Sequence, residues 1–133
     1  MDKIRIGIYG YGNLGKGVEL AVYNNPDMEL VGIFTRRDPN SIVPLYSTSK
    51  VFSVDVVHTM KNNIDIMILC GGSATDLPHQ GPDVCSLFNT VDSFDTHAKI
   101  PEYFSIMNQT AKSSNTLALI SCGWDPGLFS LNR

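Results

Sequence analysis

An open, doubly wound and mostly parallel α/β sheet is the fold class that the sequence predicts, and three observations predict it. Apolar runs of β type alternate with helical apolar periodicity along most of the chain. Two of those runs, residues 4–9 and 64–70, break off at glycines, Gly10-Tyr11-Gly12 and Gly71-Gly72, as buried parallel strands do where they meet a tight turn. The first strand, the helix after it and the second strand together occupy about thirty residues, the length of a βαβ unit.

Each element follows in order. Ile4, Ile6, Ile8 and Tyr9 mark the first strand. Leu14, Val18, Ala21 and Val22 then fall at helical spacing, predicting an apolar stripe on a helix that starts at Asn13 and ends at Asn24-Asn25-Pro26. Residues 29–34 form the second strand and stop at the turn formers of Thr35-Arg36-Arg37-Asp38-Pro39-Asn40. Residues 39–52 read as loop with at most short strands, and 54–61 as a short helix. After the strand at 64–70, Thr75 or Asp76 is the expected cap of a helix with Pro78 in its first turn. Residues 89–92 predict a short strand. Tyr103, Phe104, Met107 and Ala111 mark one face of a helix released at Ser113-Ser114-Asn115, and 116–121 predict the last strand.

Composition sets the class of protein. With 133 residues, 43% of them hydrophobic and 17% charged, the chain reads as a single domain, residues 1–133, able to bury a core without disulfides or metal. A net charge of −3 argues against nucleic acid or an anionic membrane as a partner, since both select a surplus of Lys and Arg. The longest apolar run, 64–70, falls far short of the roughly 20 residues that span a bilayer. No secretory-signal pattern opens the chain, so a cytoplasmic location is expected. Cys70, Cys85 and Cys122 are odd in number and flanked by apolar residues, and read as reduced core thiols. His58, His79 and His97 share no zinc-like spacing with them, so no metal site is expected.

Gly10-Tyr11-Gly12-Asn13-Leu14-Gly15 fits G-x-G-x-x-G, a weak pattern in isolation. Here it follows a strand and opens a helix, where backbone N–H groups and the helix's positive end favour a pyrophosphate. The competing reading is a purely structural turn. About twenty residues further on, where an acid would accept the ribose 2′-hydroxyl of NAD, the chain carries Thr35-Arg36-Arg37. Two guanidiniums and a hydroxyl suit a 2′-phosphate and predict preference for NADP by tenfold or more, about 1.4 kcal/mol per decade; the alternative is two solvated loop charges. Cys70-Gly71-Gly72-Ser73-Ala74-Thr75-Asp76 could line the rest of a dinucleotide crevice or be a plain strand–helix turn with a Thr or Asp cap. Asp95 and Asp125 each follow a strand and could receive an ammonium group, although Asp before Pro is also a common helix start.

In order and spacing, Gly10 to Gly15, Arg36-Arg37, Gly72-Ser73-Ala74-Thr75-Asp76, Val91-Asp92 with Asp95 and His97, and Gly123-Trp124-Asp125-Pro126-Gly127 together resemble the meso-diaminopimelate D-dehydrogenases. The resemblance implies a Rossmann-like domain and NADP-dependent, reversible oxidative deamination at the D-centre of meso-diaminopimelate. It implies that Tyr11, Gly12, Asn13 and Leu14 hold the pyrophosphate and Thr35, Arg36 and Arg37 the 2′-phosphate. Cys70, Gly71, Gly72 and Ser73, with Ser93, Phe94 and Asp95, would then take the ribose and nicotinamide side, and Cys122, Gly123, Trp124, Asp125 and Pro126 the nicotinamide pocket. Asp95, Trp124 and Asp125 would touch the substrate, with Asp95 and Asp125 at its reacting centre. The resemblance also implies a homodimer and a separate substrate domain that these 133 residues lack, so the chain alone is expected to bind NADP and to catalyse poorly or not at all. Three departures from the family pattern, Gly71 for Met, Cys122 for Thr and Lys99 for an acid, put local packing and charge in doubt. Two other readings stay open: an NADP-linked reductase of the homoserine-dehydrogenase or dihydrodipicolinate-reductase kind, and a non-catalytic NADPH-binding module.

Overall fold

The computed structural model describes residues 2–123, and these fall into two compact units that meet in sequence between Cys70 and Gly71. In the first, β1 (Ile4–Tyr9), α1 (Asn13–Tyr23) and β2 (Met28–Thr35) form the expected βαβ unit, and β3 (Val51–Ser53) and β4 (Ile66–Leu69) complete it. Every pairing is parallel, in the order β3-β2-β1-β4. The chain therefore leaves β1 to build outward on one side through β2 and β3, and returns to β1's other side with β4. That reversal is the point at which open α/β sheets bind ligands, beyond the carboxyl ends of the strands. Gly10 follows β1 there, and the N–H of Cys70 donates to the Tyr9 carbonyl at 2.8 Å.

Ile8, Ile33, Ile42 and Tyr11 make the core of this unit, with Val18, Leu30, Val51 and Cys70 packed against it. The strand at 64–70 is shorter than its apolar run: the Asp65 carboxylate instead accepts from the Arg5 backbone N–H at 2.8 Å and from its guanidinium at 2.9 and 3.2 Å. Residues 54–60 are a 3-10 helix, begun by the Ser53 hydroxyl accepting from the Asp55 N–H at 3.2 Å. The predicted stripe on α1 needs correction. Leu14 is 45% exposed, Ala21 is exposed, and the buried face runs through Gly15, Glu19 and Val22. That face includes an acid, Glu19, which the predicted stripe did not contain.

In the second unit, α2 (Leu77–Cys85), β5 (Asn89–Asp92), α3 (Ile100–Ser114) and β6 (Ala118–Leu119) appear in the expected order, and β5 pairs with β6 in parallel. Pro78 stands in the first turn of α2, where its missing N–H costs no hydrogen bond. Asn115 ends α3 in the left-handed conformation, φ 56°, which Asn tolerates better than most residues. Tyr103 and Met107 are the buried face of α3, whereas Phe104, expected beside them, is 57% exposed. Among the described residues, no helix is long and apolar enough to cross a membrane. All three cysteines are free; Cys85 is buried and Cys70 half-buried, but Cys122 is exposed, contrary to its reading as a core thiol.

Candidate nucleotide-binding site

The three motif glycines of the first unit meet different local demands. Gly10 adopts φ 96°, a region that a Cβ disfavours, and its N–H donates to the Phe34 carbonyl at 2.8 Å, tying the turn to β2. Gly15 lies so close to the turn that a β-carbon there would sit 2.5 Å from the Gly10 carbonyl oxygen. Gly12, at the N-cap of α1, has neither constraint: its φ is −97°, and a β-carbon would meet nothing within 4 Å. The open space lies at a helix start with no side-chain cap and no acid in its first turn. A helix end of that kind presents N–H groups and positive potential to an anion.

At the end of β2, Thr35 is buried and its hydroxyl accepts from the Arg37 N–H at 3.1 Å, shaping the loop. Arg36 and Arg37 are exposed. Arg37 is not merely a solvated loop charge, because its Nη2 donates to the Tyr11 carbonyl at 2.8 Å, against the glycine-rich turn. The guanidinium is thus held beside the segment expected to carry the pyrophosphate.

Tyr11 and Glu19 form a cluster that the sequence reading missed. Glu19 is 0% exposed. Its carboxylate accepts from the Tyr11 hydroxyl, from Ser49 Oγ at 2.5 Å and from the N–H groups of Leu45 and Tyr46 at 3.0 and 3.2 Å. Burial pushes its pKa up, but the bonds from Ser49, Tyr11, Leu45 and Tyr46 prevail and hold it below the ordinary glutamate value. Burial and the bond to Glu19 push the Tyr11 phenol up to about 12. The only trace of this cluster in the sequence is an acid placed four residues after Gly15 and three before Val22, on the buried stripe.

In the second unit, the expected cap of α2 works in reverse. Asp76 makes no side-chain cap; its Oδ2 accepts instead from the Gly72 N–H at 3.0 Å. A β-carbon on Gly71 would lie 2.5 Å from Gln80 Oε1 and 2.8 Å from Asp76 Cβ, so the space beside Gly71 is already filled by those residues. The Ser73 hydroxyl donates to Asp95 Oδ1, and Asp95 is exposed. Beneath it, Asp92 is 2% exposed. Its carboxylate accepts from the Phe94 N–H at 3.0 Å, the Ser121 N–H at 3.0 Å and the Tyr103 hydroxyl at 2.6 Å, while its carbonyl accepts from the Cys122 N–H at 2.8 Å. One buried acid therefore fastens both the 93–95 loop and the 121–122 loop. The Phe94 ring is buried against Tyr103, centroids 4.1 Å apart. Trp124, Asp125 and Pro126 lie outside the described residues.

No protein-family model matches the chain. Across all 133 residues it is 63% identical to a meso-diaminopimelate D-dehydrogenase of Ureibacillus thermosphaericus, spanning 40% of that protein's length. Superposed on a Corynebacterium glutamicum diaminopimelate dehydrogenase in complex with diaminopimelate, it gives a TM-score of 0.90 at 45% identity, with all of this chain and 40% of that one covered. An engineered D-amino-acid dehydrogenase bound to NADP+ gives 0.89 at 45% identity, over 98% of this chain and 40% of that one. The fold is accordingly an α/β fold of the Rossmann-like kind. The chain matches, along its whole length, the N-terminal portion of the meso-diaminopimelate D-dehydrogenases.

Proposed function

We propose that residues 1–133 are the NADP-binding domain of an enzyme that oxidatively deaminates the D-centre of meso-diaminopimelate. The observation that carries this reading is the 2.8 Å bond from Arg37 to the Tyr11 carbonyl, which places a guanidinium beside an uncapped helix start at the switch point of the sheet. In this reading the pyrophosphate takes the space over Gly12, against the first N–H groups of α1, with Asn13 and Leu14 at its edge. Arg36 and Arg37, on the loop shaped by Thr35, take the 2′-phosphate. The absence of any atom within 4 Å of a β-carbon at Gly12 supports the fit.

The ribose and nicotinamide side is assigned to Cys70, Gly71, Gly72, Ser73, the backbone of Ser93 and Phe94, Asp95, Cys122, Gly123, Trp124, Asp125 and Pro126. When bound, NADP+ supplies the hydride acceptor. The chain's own part is to orient and to balance charge. Asp95, exposed and positioned by Ser73, is the acid assigned to the substrate's amino group, with Trp124 and Asp125 completing that contact. Cys70 is assigned no nucleophilic role, since burial pushes its thiol up to about 12. A homodimer, a substrate domain outside these residues and a cytoplasmic location belong to the same proposal.

A chimaera tests it. These 133 residues would replace the matching segment of the Ureibacillus thermosphaericus enzyme, and NADPH formation from meso-diaminopimelate would be followed with and without Asp95→Asn. Turnover that the substitution lowers by about a hundredfold or more is expected, on the scale of a lost charge contact at the reacting centre. A folded chimaera that binds NADP+ but leaves meso-diaminopimelate untouched would contradict the reading.

A further inference from the structure

A fully buried carboxylate is costly unless donors surround it, and it persists where it holds something in place. Glu19 is surrounded by donors from two directions: the glycine-rich turn through the Tyr11 hydroxyl, and residues 45–49 through two backbone N–H groups and Ser49. The second group is itself secured to α1. The Tyr23 hydroxyl lies 2.8 Å from Thr48 Oγ1 and 3.1 Å from Ser49 Oγ, and its ring stacks on Tyr46 with centroids 3.9 Å apart. Tyr11 is therefore gripped by its phenol, while its carbonyl accepts from Arg37. The Leu45 N–H also donates to the Tyr11 hydroxyl at 3.0 Å, closing the triangle of Tyr11, Glu19 and Leu45.

We propose that Glu19 is a specificity-determining positioning residue: by fixing Tyr11 it fixes the carbonyl that orients Arg37, and so sets the discrimination between NADP and NAD without touching either nucleotide. This rests on the nucleotide reading above. The reason is geometric. A guanidinium on an exposed loop samples many rotamers, and each costs affinity for the 2′-phosphate unless a fixed acceptor selects one. A backbone carbonyl selects a single direction only if its own peptide is fixed. In the turn at residues 10–12 the Gly10 N–H ties the backbone to β2 through the Phe34 carbonyl, and the hydroxyl of Tyr11, held by Glu19 and the Leu45 N–H, adds the hold on the tyrosine itself.

The test is calorimetric titration of the 133-residue chain with NADP+ and with NAD+, for the wild type, Glu19→Gln, Arg37→Ala and the double variant. Glu19→Gln is expected to lower the ratio of NADP+ to NAD+ affinity by about fivefold to tenfold, the scale of one charge-assisted bond, with NAD+ affinity changed by less than about twofold. In the Arg37→Ala background the same substitution should leave the ratio unmoved, since the two act in series. Equal weakening of both nucleotides would show Glu19 to be only structural and would overturn the proposal. So would an effect on the ratio that persists without Arg37. Should Glu19→Gln fail to fold, Tyr11→Phe, which removes the phenol and leaves the carboxylate its other three donors, is read by the same ratio and the same double variant. A wild-type chain with no preference for NADP+ would fail the nucleotide reading itself, and is told apart because it requires no variant.

Discussion

A β-carbon on Gly15 would lie 2.5 Å from the carbonyl oxygen of Gly10, whereas one on Gly12 would meet nothing within 4 Å. The two glycines of one motif thus answer to different demands, the first to the fold and the second, in the proposed reading, to a ligand. Gly15→Ala is expected to destabilise the chain by about 2–3 kcal/mol, because the neighbour in the way is backbone. Gly12→Ala should leave the melting temperature nearly unchanged, within about 0.5 kcal/mol, yet weaken NADP+ binding by tenfold or more by filling the space over the helix start. Thermal denaturation and titration of both variants check the contrast.

Glu19 makes stability pH-dependent. Its pKa in the folded chain is lowered from the ordinary 4.5, so its contribution is fully present above that value and is lost as the pH falls through the lowered one. Urea unfolding of the wild type should therefore show a loss of stability as pH drops below about 4.5, and Glu19→Gln should flatten that part of the profile. At the other end the sign reverses. Tyr11, raised from 10.0 to about 12, contributes stability that is present below pH 10 and fades as the pH rises toward 12.

Asp92→Ala should cost about 3 kcal/mol or more, since it strips partners from the Tyr103 hydroxyl and from the N–H groups of Phe94 and Ser121. Tyr103→Phe removes one of those bonds and should cost about 1 kcal/mol. Hydrogen exchange adds a local signature: the amides of Phe94 and Ser121 should lose protection in Asp92→Ala and keep it in Tyr103→Phe.

The three thiols should separate by rate. Cys122 is exposed, Cys85 is buried, and burial pushes Cys70 up to about 12. Labelling with an aromatic disulfide near pH 8 is expected to show one fast thiol and two slow ones, with the fast phase absent in Cys122→Ser.

Much of this was legible in the sequence because it rests on local chemistry. The glycine motif, the strand before it, Pro78 at a helix start and Asn115 at a helix end each announce themselves through backbone geometry that few residues satisfy. What was not legible depends on contacts between distant residues. The burial of Glu19 depends on Tyr11, Ser49 and residues 45–46 closing around it, and that of Asp92 on Tyr103 and Ser121, eleven and twenty-nine residues away in the chain. Leu14 and Phe104 erred the other way. Both fit a helical apolar stripe, but the stripe on α1 is turned toward Gly15 and Glu19 by the close approach of helix to turn, and α3 buries only Tyr103 and Met107. Thr75 or Asp76 was expected to cap α2; Asp76 stands at the cap position but its carboxylate is engaged with the Gly72 N–H, a choice between two backbone partners that spacing does not decide.

The most direct test of the central claim is calorimetric titration of this chain with NADP+ and NAD+, repeated after Arg36→Ala and Arg37→Ala. The account predicts preference for NADP+ by tenfold or more, lost in both variants while NAD+ affinity is retained; equal affinity for the two nucleotides, or binding of neither by a folded chain, would contradict it.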